Sequence, residues 1–114
     1  MQAKHDLDLI LMFFMYILIK MKYEWDEAKN TSNQMKHGVD MSCAETFDWN
    51  SCLNGIDARQ NYKEERFVAT GYLGGRLHVL TYTWRKDTIR VISLRKANIR
   101  ERIFYEKSKK TKLD

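Results

Sequence analysis

The chain has 114 residues, 44% hydrophobic and 31% charged, with five glycines and no proline. This fits one globular domain and excludes a two-domain protein or a disordered linker. The net charge of +5 has a location: residues 1–20 and 21–94 are each neutral, and residues 95–114 carry eight Lys and Arg against three acids. A basic C-terminal segment on a neutral body suits a polyanion or an acidic protein partner, the plain alternative being a solvated helix face.

Leu9 to Ile19 is an unbroken apolar run of eleven residues, about half of what a membrane-spanning helix needs. Asp6 and Asp8 precede it, where a secretion signal would carry net positive charge. Met21 can initiate the segment that follows, so residues 1–21 read as an apolar upstream extension. A chain starting at Met21 should then fold and stay active. The alternative is an apolar helix that docks on the domain or tethers it to a membrane surface, without stable insertion.

Lys22 to Trp25 can form a short strand that puts its aromatics into the core. Asp26 is a predicted N-cap for a polar helix to His37, stopped by Gly38. Trp25, Ala28 and Met35 give it a thin apolar stripe, and Lys36 and His37 fill its last turn, where the helix dipole favours cations. Ser42 with Glu45 reads as a capping box for a second helix, Cys43 to about Trp49. Cys52 to Ile56 is a candidate edge strand, and residues 57–65 read as a polar loop. Arg66–Tyr72, Arg76–Trp84 and Thr88–Leu94 are three predicted strands of an antiparallel meander, with Gly74-Gly75 and Arg85-Lys86-Asp87 as turns. Asn98 with Glu101 opens a last helix to about Lys109, which Ile99, Ile103 and Phe104 should pack on the sheet. The order predicts an α+β domain over residues 22–109, with two N-terminal helices, an antiparallel sheet and a C-terminal helix, followed by a basic tail over 110–114.

The residues with chemical potential are cations and proton-transfer groups. Cys43 and Cys52 make no CxxC pair and His5, His37 and His78 stand at no metal-ligand spacing, so no metal or cofactor is expected. The two cysteines read as free thiols of a cytoplasmic protein. His78 reads as a packed strand residue. His37 ends a polar helix beside Lys36 and can exchange a proton near neutral pH, though a surface helix end has the same pattern. Glu65 and Arg66 open a strand. Simple alternation along the last strand puts Arg90, Ile92 and Leu94 on one face and Val91, Ser93 and Arg95 on the other. Arginines in a strand need a carboxylate or phosphate partner, and an internal pair with Glu65 is one option. Cleaving RNA without a metal takes a base for the 2′-OH, cations for the phosphorane and an acid for the leaving oxygen. A His, a Lys and several Arg can fill these roles, but spacing does not show that they converge.

Three segments resemble the BrnT toxins of bacterial toxin–antitoxin pairs. They are Trp25-Asp26-x-x-Lys29-x-x-x-Asn33-x-x-Lys36-His37-Gly38-Val39, then Glu64-Glu65-Arg66 followed by Gly71, then Thr83-x-Arg85 with Ile89 to Ala97, Glu101 and Tyr105. The resemblance covers about residues 22–106, in the family's order. It implies a RelE-like fold, an RNA substrate and an endoribonuclease neutralised by a BrnA-like antitoxin, with operator DNA bound only through that antitoxin. Carried over by motif, the active-site residues are Lys36, His37, Glu65, Arg66, Arg90, Ser93, Arg95 and Tyr105. Ser93-Leu94-Arg95 departs from the usual Ser-Ala-Arg, and the apolar extension has no counterpart in the family pattern. A rival from another class is a basic nucleic-acid-binding or repressor-complex module without turnover.

Overall fold

The structure, a computed structural model, describes residues 2–113, with side chains described for 6–17 and 21–111. Five strands form one sheet: Lys22–Glu24 (β1), Leu53–Ile56 (β2), Phe67–Leu73 (β3), Arg76–Arg85 (β4) and Thr88–Lys96 (β5). The spatial order is β1-β5-β4-β3-β2. The antiparallel pairs run from β2 to β5, and β1 joins the edge of β5 in parallel. The expected antiparallel sheet is therefore mixed. Tight turns force reversal on the meander, for instance at Gly74 and Gly75 with φ of 60° and 78°, whereas β1 is joined to β5 by no hairpin and is free to run either way.

One sheet face is closed by apolar packing. Ala69, Leu80, Tyr82, Ile89, Val91 and Leu94 are buried there against Val39, Met41, Ala44 and Phe47. Phe47, Trp49, Tyr82 and Phe67 form a chain of ring contacts at 4.8, 5.2 and 5.5 Å. Gly71 lies under this cluster: a Cβ there would stand 2.7 Å from Phe47 Cζ and 3.0 Å from Cys52 Cβ. The glycine of the second motif is thus required by packing.

The helix Glu27–His37 (α2) is capped by Asp26, whose Oδ1 accepts from Lys29 N at 3.0 Å, and ends at Gly38 with φ 69°. The expected apolar stripe does not hold it, since Met35 is 84% exposed and Ala28 is exposed as well. Its two buried residues are Asn30 and Asn33. The second expected helix is a 3₁₀ helix, Met41–Thr46. It starts earlier than the Ser42–Glu45 pattern predicts because Asp40 is the cap, accepting from Ser42 N at 2.9 Å. It stops at Phe47, which turns extended to enter the core.

The first residues form a helix, Gln2–Lys20 (α1). Its described large apolar side chains, Leu7 to Ile17, are 41–65% exposed, so among the described side chains this helix buries no apolar stripe on the domain. No described helix is long and apolar enough to cross a membrane. The C-terminal helix, Ile99–Leu113 (α3), opens with the expected reciprocal box: Asn98 N donates to Glu101 Oε1 at 2.8 Å and Glu101 N to Asn98 Oδ1 at 2.9 Å. It runs past Lys109; Asp114, the end of the expected tail, lies outside the described residues. Ile99, Ile103 and Phe104 do not pack on the sheet, being 70, 51 and 67% exposed. The cap and the Arg95–Glu101 pair set a different helix phase. Tyr105, four residues after Glu101, faces inward instead and is buried with Leu77, Val79 and Ala97.

Candidate active site

A β-bulge decides which groups share the second face of the sheet. Tyr82 pairs with Val91 and Thr81 with Ser93, so Ile92 has no counterpart on β4. The extra residue resets the alternation. Arg90, Ser93 and Arg95 stand opposite Thr83, Thr81 and Val79, which alternate along β4 and therefore point one way. The uniform alternation read from the sequence split Arg90 from Ser93 and Arg95. With the bulge all three lie on the face away from the aromatic core, while Ile89, Val91 and Leu94 stay in that core. Arg66, one residue before Phe67, reaches this same face by alternation.

Arg66 is the least satisfied of these cations. Its Cζ lies 4.1 Å above the Tyr62 ring. Its Nε is buried and has no hydrogen-bond partner. Among the described residues no carboxylate stands within ion-pair distance of it, so the internal pair with Glu65 does not form. The loop that carries Tyr62 is organised by Asp57, a residue that composition alone hid in a polar stretch. The Asp57 carboxylate takes two hydrogen bonds from Arg59, each 2.8 Å, and one from Tyr62 Oη at 3.2 Å. The Arg59 guanidinium holds the Asp57 carboxyl well below the usual carboxylate range. Thr83 Oγ1 donates to the Glu65 carbonyl at 2.7 Å, which fixes the backbone at the entry to Arg66. The Glu65 side chain points to solvent.

The other cations differ in how far they are committed. Arg90 has a loose contact with Glu24 Oε1 at 3.9 Å and is a quarter exposed. Arg95 spends its fork on Glu101, at 2.8 and 2.7 Å. That pair draws the Glu101 carboxyl below its ordinary value, first through the Arg95 hydrogen bond and then through the Asn98 amide. Tyr105 is buried, and its hydroxyl donates to the Ser51 carbonyl at 2.7 Å, which makes it the bolt that fastens α3 to the sheet.

Lys36 and His37 are exposed at the end of α2. Asn33, one turn earlier, ties that helix to β5. Its Nδ2 donates to the carbonyls of Val39 and Leu94 at 2.9 and 2.8 Å, and its Oδ1 accepts from Leu94 N at 3.2 Å. The amide thus stands in for a neighbouring strand where β5 has run past the end of β1. Leu94 lies between Ser93 and Arg95, so the first and third motifs meet at this contact. Asn30 completes the brace by accepting from Met41 N at 2.9 Å and donating to Asp40 at 3.0 Å. The spacing of the first motif contains both asparagines, yet polarity on a helix gives no sign that they are buried.

Among the described residues no group of three or more His, Cys, Asp or Glu could hold a metal ion, and Cys43 and Cys52 are not joined in a disulfide. A sheet face that carries several arginines has the chemistry to bind a phosphodiester. The family model described as "Ribonuclease toxin, BrnT, of type II toxin-antitoxin system" matches residues 25–101. No curated protein matches the chain.

Proposed function

The chain belongs to the BrnT family of ribonuclease toxins of type II toxin–antitoxin systems, and from that premise we propose that it is a metal-independent endoribonuclease of RelE-like fold, acting in the cytoplasm and neutralised by a BrnA-like antitoxin that alone contacts operator DNA. The observation that carries the reading is the arginine face. The bulge at Ile92 gathers Arg90, Ser93 and Arg95 beside Arg66, and Arg66 keeps a buried, unpartnered Nε. A phosphate oxygen supplies the acceptor that this guanidinium lacks.

In this mechanism Arg66 and Arg90 hold the scissile phosphate, with the Ser93 hydroxyl as a further donor. Arg95 mainly positions α3, and reaches phosphate only by exchanging Glu101 for it. His37 removes the 2′-OH proton or protonates the leaving 5′ oxygen, with Lys36 beside it for the other transfer, and Glu65, whose side chain points to solvent, takes no assigned step. The 2′ oxygen forms a bond to phosphorus, the bond to the 5′ oxygen breaks, and the proton count closes with a cyclic phosphate and a 5′-hydroxyl. Tyr105 acts through its anchoring of α3.

The test is cleavage of a single-stranded RNA by the folded parent and its His37→Ala, Arg66→Ala, Arg90→Ala and Arg95→Ala variants, with and without EDTA. Activity should survive EDTA. Loss of a preorganised donor costs on the order of 10²–10³-fold, and loss of the proton-transfer group roughly 10²–10⁴-fold. Four folded variants that cleave like the parent would place the site elsewhere. A parent that binds RNA without cutting it would favour the non-catalytic module.

A further inference from the structure

A second surface lies at the other end of the same sheet face. Between α3 and the β3–β4 hairpin runs a groove of about 830 Å³. Its floor is apolar, made by Tyr72, Leu77, Ile99 and Ile103, and its rim carries Arg76, Arg102, Lys107 and Lys110, with Glu106 as the one acid in the lining. Ile99 and Ile103 are 70 and 51% exposed, and they point into this groove because Tyr105 has taken the inward position that they were expected to fill. Along β4, Leu77 and Thr83 are six residues apart, about 20 Å at ~3.3 Å per residue, so the groove is separate from Arg66 and Arg90, while Arg95, opposite Val79, stands between the two.

We infer that this groove is the docking site for an acidic amphipathic segment of the antitoxin. The inference rests on the family reading for the existence of that partner, and adds where it binds and what chemistry it presents. Two observations select this occupant. The rim has four cations against one carboxylate, which is complementary to Asp and Glu. Apart from Tyr72, whose ring already packs edge-to-face with Tyr105, the floor is aliphatic, which rewards burial of apolar side chains and gives nothing to a phosphate backbone. Ile99 to Lys110 spans about 16 Å of helix at ~1.5 Å per residue, a length that three turns of a partner helix match. Glu101 lies within this span of α3, and its ion pair with Arg95 puts a partner anchored here next to the arginine face.

The experiment uses the full chain, its cognate antitoxin and a single-stranded RNA. Affinity for the antitoxin is measured by calorimetry at several salt concentrations for the parent, Ile103→Asp, Ile103→Leu and the pair Arg102→Glu with Lys107→Glu. All three positions are exposed, and circular dichroism checks the fold of each variant. Ile103→Asp should weaken antitoxin binding by about tenfold or more, while Ile103→Leu keeps it. The charge-reversed pair should weaken it similarly and flatten its salt dependence. RNA cleavage by the free variants should equal that of the parent. Unchanged antitoxin affinity in both disruptive variants overturns the inference. So does a charge-reversed pair that loses RNA binding and keeps the antitoxin, since the groove then belongs to RNA. A chain that binds the antitoxin through this groove yet never cleaves RNA sinks the proposed activity and leaves the docking site standing.

Discussion

The two faces of the sheet are built on opposite principles. One is closed by ten buried residues and a run of edge-to-face and stacked rings. The other is divided: Tyr105 and three small apolar partners seal one end, and arginines with threonine neighbours line the rest. A sequence selected only for stability would fill that second half with apolar side chains. Instead the chain keeps a buried guanidinium nitrogen without a partner, a state that costs about 1–3 kcal/mol. Stability resides on the aromatic face, and the arginine face is where it is given up.

The sharpest way to break that contrast is Arg66→Met, which keeps an unbranched stem as far as the Nε position and removes the charge. Cleavage should fall on the order of 10²–10³-fold, while thermal stability holds or rises. A melting point lowered by many degrees, with unchanged cleavage per folded molecule, would make Arg66 a structural residue. Asn33→Leu probes the seam between the faces. It strands the Leu94 amide, the Leu94 carbonyl and the Val39 carbonyl, so denaturation should show a loss of about 2–4 kcal/mol. Cleavage should fall further than the folded fraction does, because Lys36 and His37 lose their tie to β5. Equal losses in both readouts would show that Asn33 only stabilises.

Much of this layout is legible in the sequence where one residue type has one physical use. The Asp26 cap, the Gly38 stop, the Gly74-Gly75 turn and the Asn98–Glu101 box are local devices, and all form. The failures share another cause: each depends on a neighbour distant in sequence. The bulge at Ile92 exists only in register with β4, so alternation alone misassigned Arg90. Asn30 and Asn33 give no sign of burial in the sequence because their partners, Asp40, Met41, Val39 and Leu94, lie in other segments. Ile99, Ile103 and Phe104 are as apolar as a core stripe, and only the phase set by Glu101 and Tyr105 turns them outward. For the site, the motifs supplied the residue names, while the free state of Arg66 and the committed state of Arg95 are properties of packing.

Gly71→Ala confines a defect to the aromatic face. The new methyl would overlap Phe47 and crowd Cys52, and strain of this kind costs about 1–3 kcal/mol. Chemical denaturation should register that loss. Cleavage at a temperature where the variant is folded should match the parent. An unchanged midpoint would mean that Phe47 shifts freely, and that the face is looser than its ring contacts suggest.

The smallest expected effect lies at the border between the closed and open halves of the second face. Glu101 joins Arg95 to the first turn of α3 through three hydrogen bonds that it accepts or anchors. Its carboxyl is held below the ordinary value of 4.5 in the folded chain, chiefly by the Arg95 hydrogen bond. A depressed folded value means that the unfolded chain takes up the proton first as acid is added. The contribution is therefore complete above the unfolded value, and is lost as pH falls through the lower folded one. Glu101→Gln removes this term, so its stability deficit against the parent should be about 1 kcal/mol at pH 7 and should shrink toward zero in acid. Asp57, Asp26 and Asp40 also have depressed carboxyls, so the parent alone loses stability in acid for several reasons. The difference between the two chains isolates Glu101. A deficit that stays constant from neutral pH to well below 4.5 would assign the effect to the neutral capping bond, and the Arg95 pair would then contribute nothing to holding α3 against the sheet.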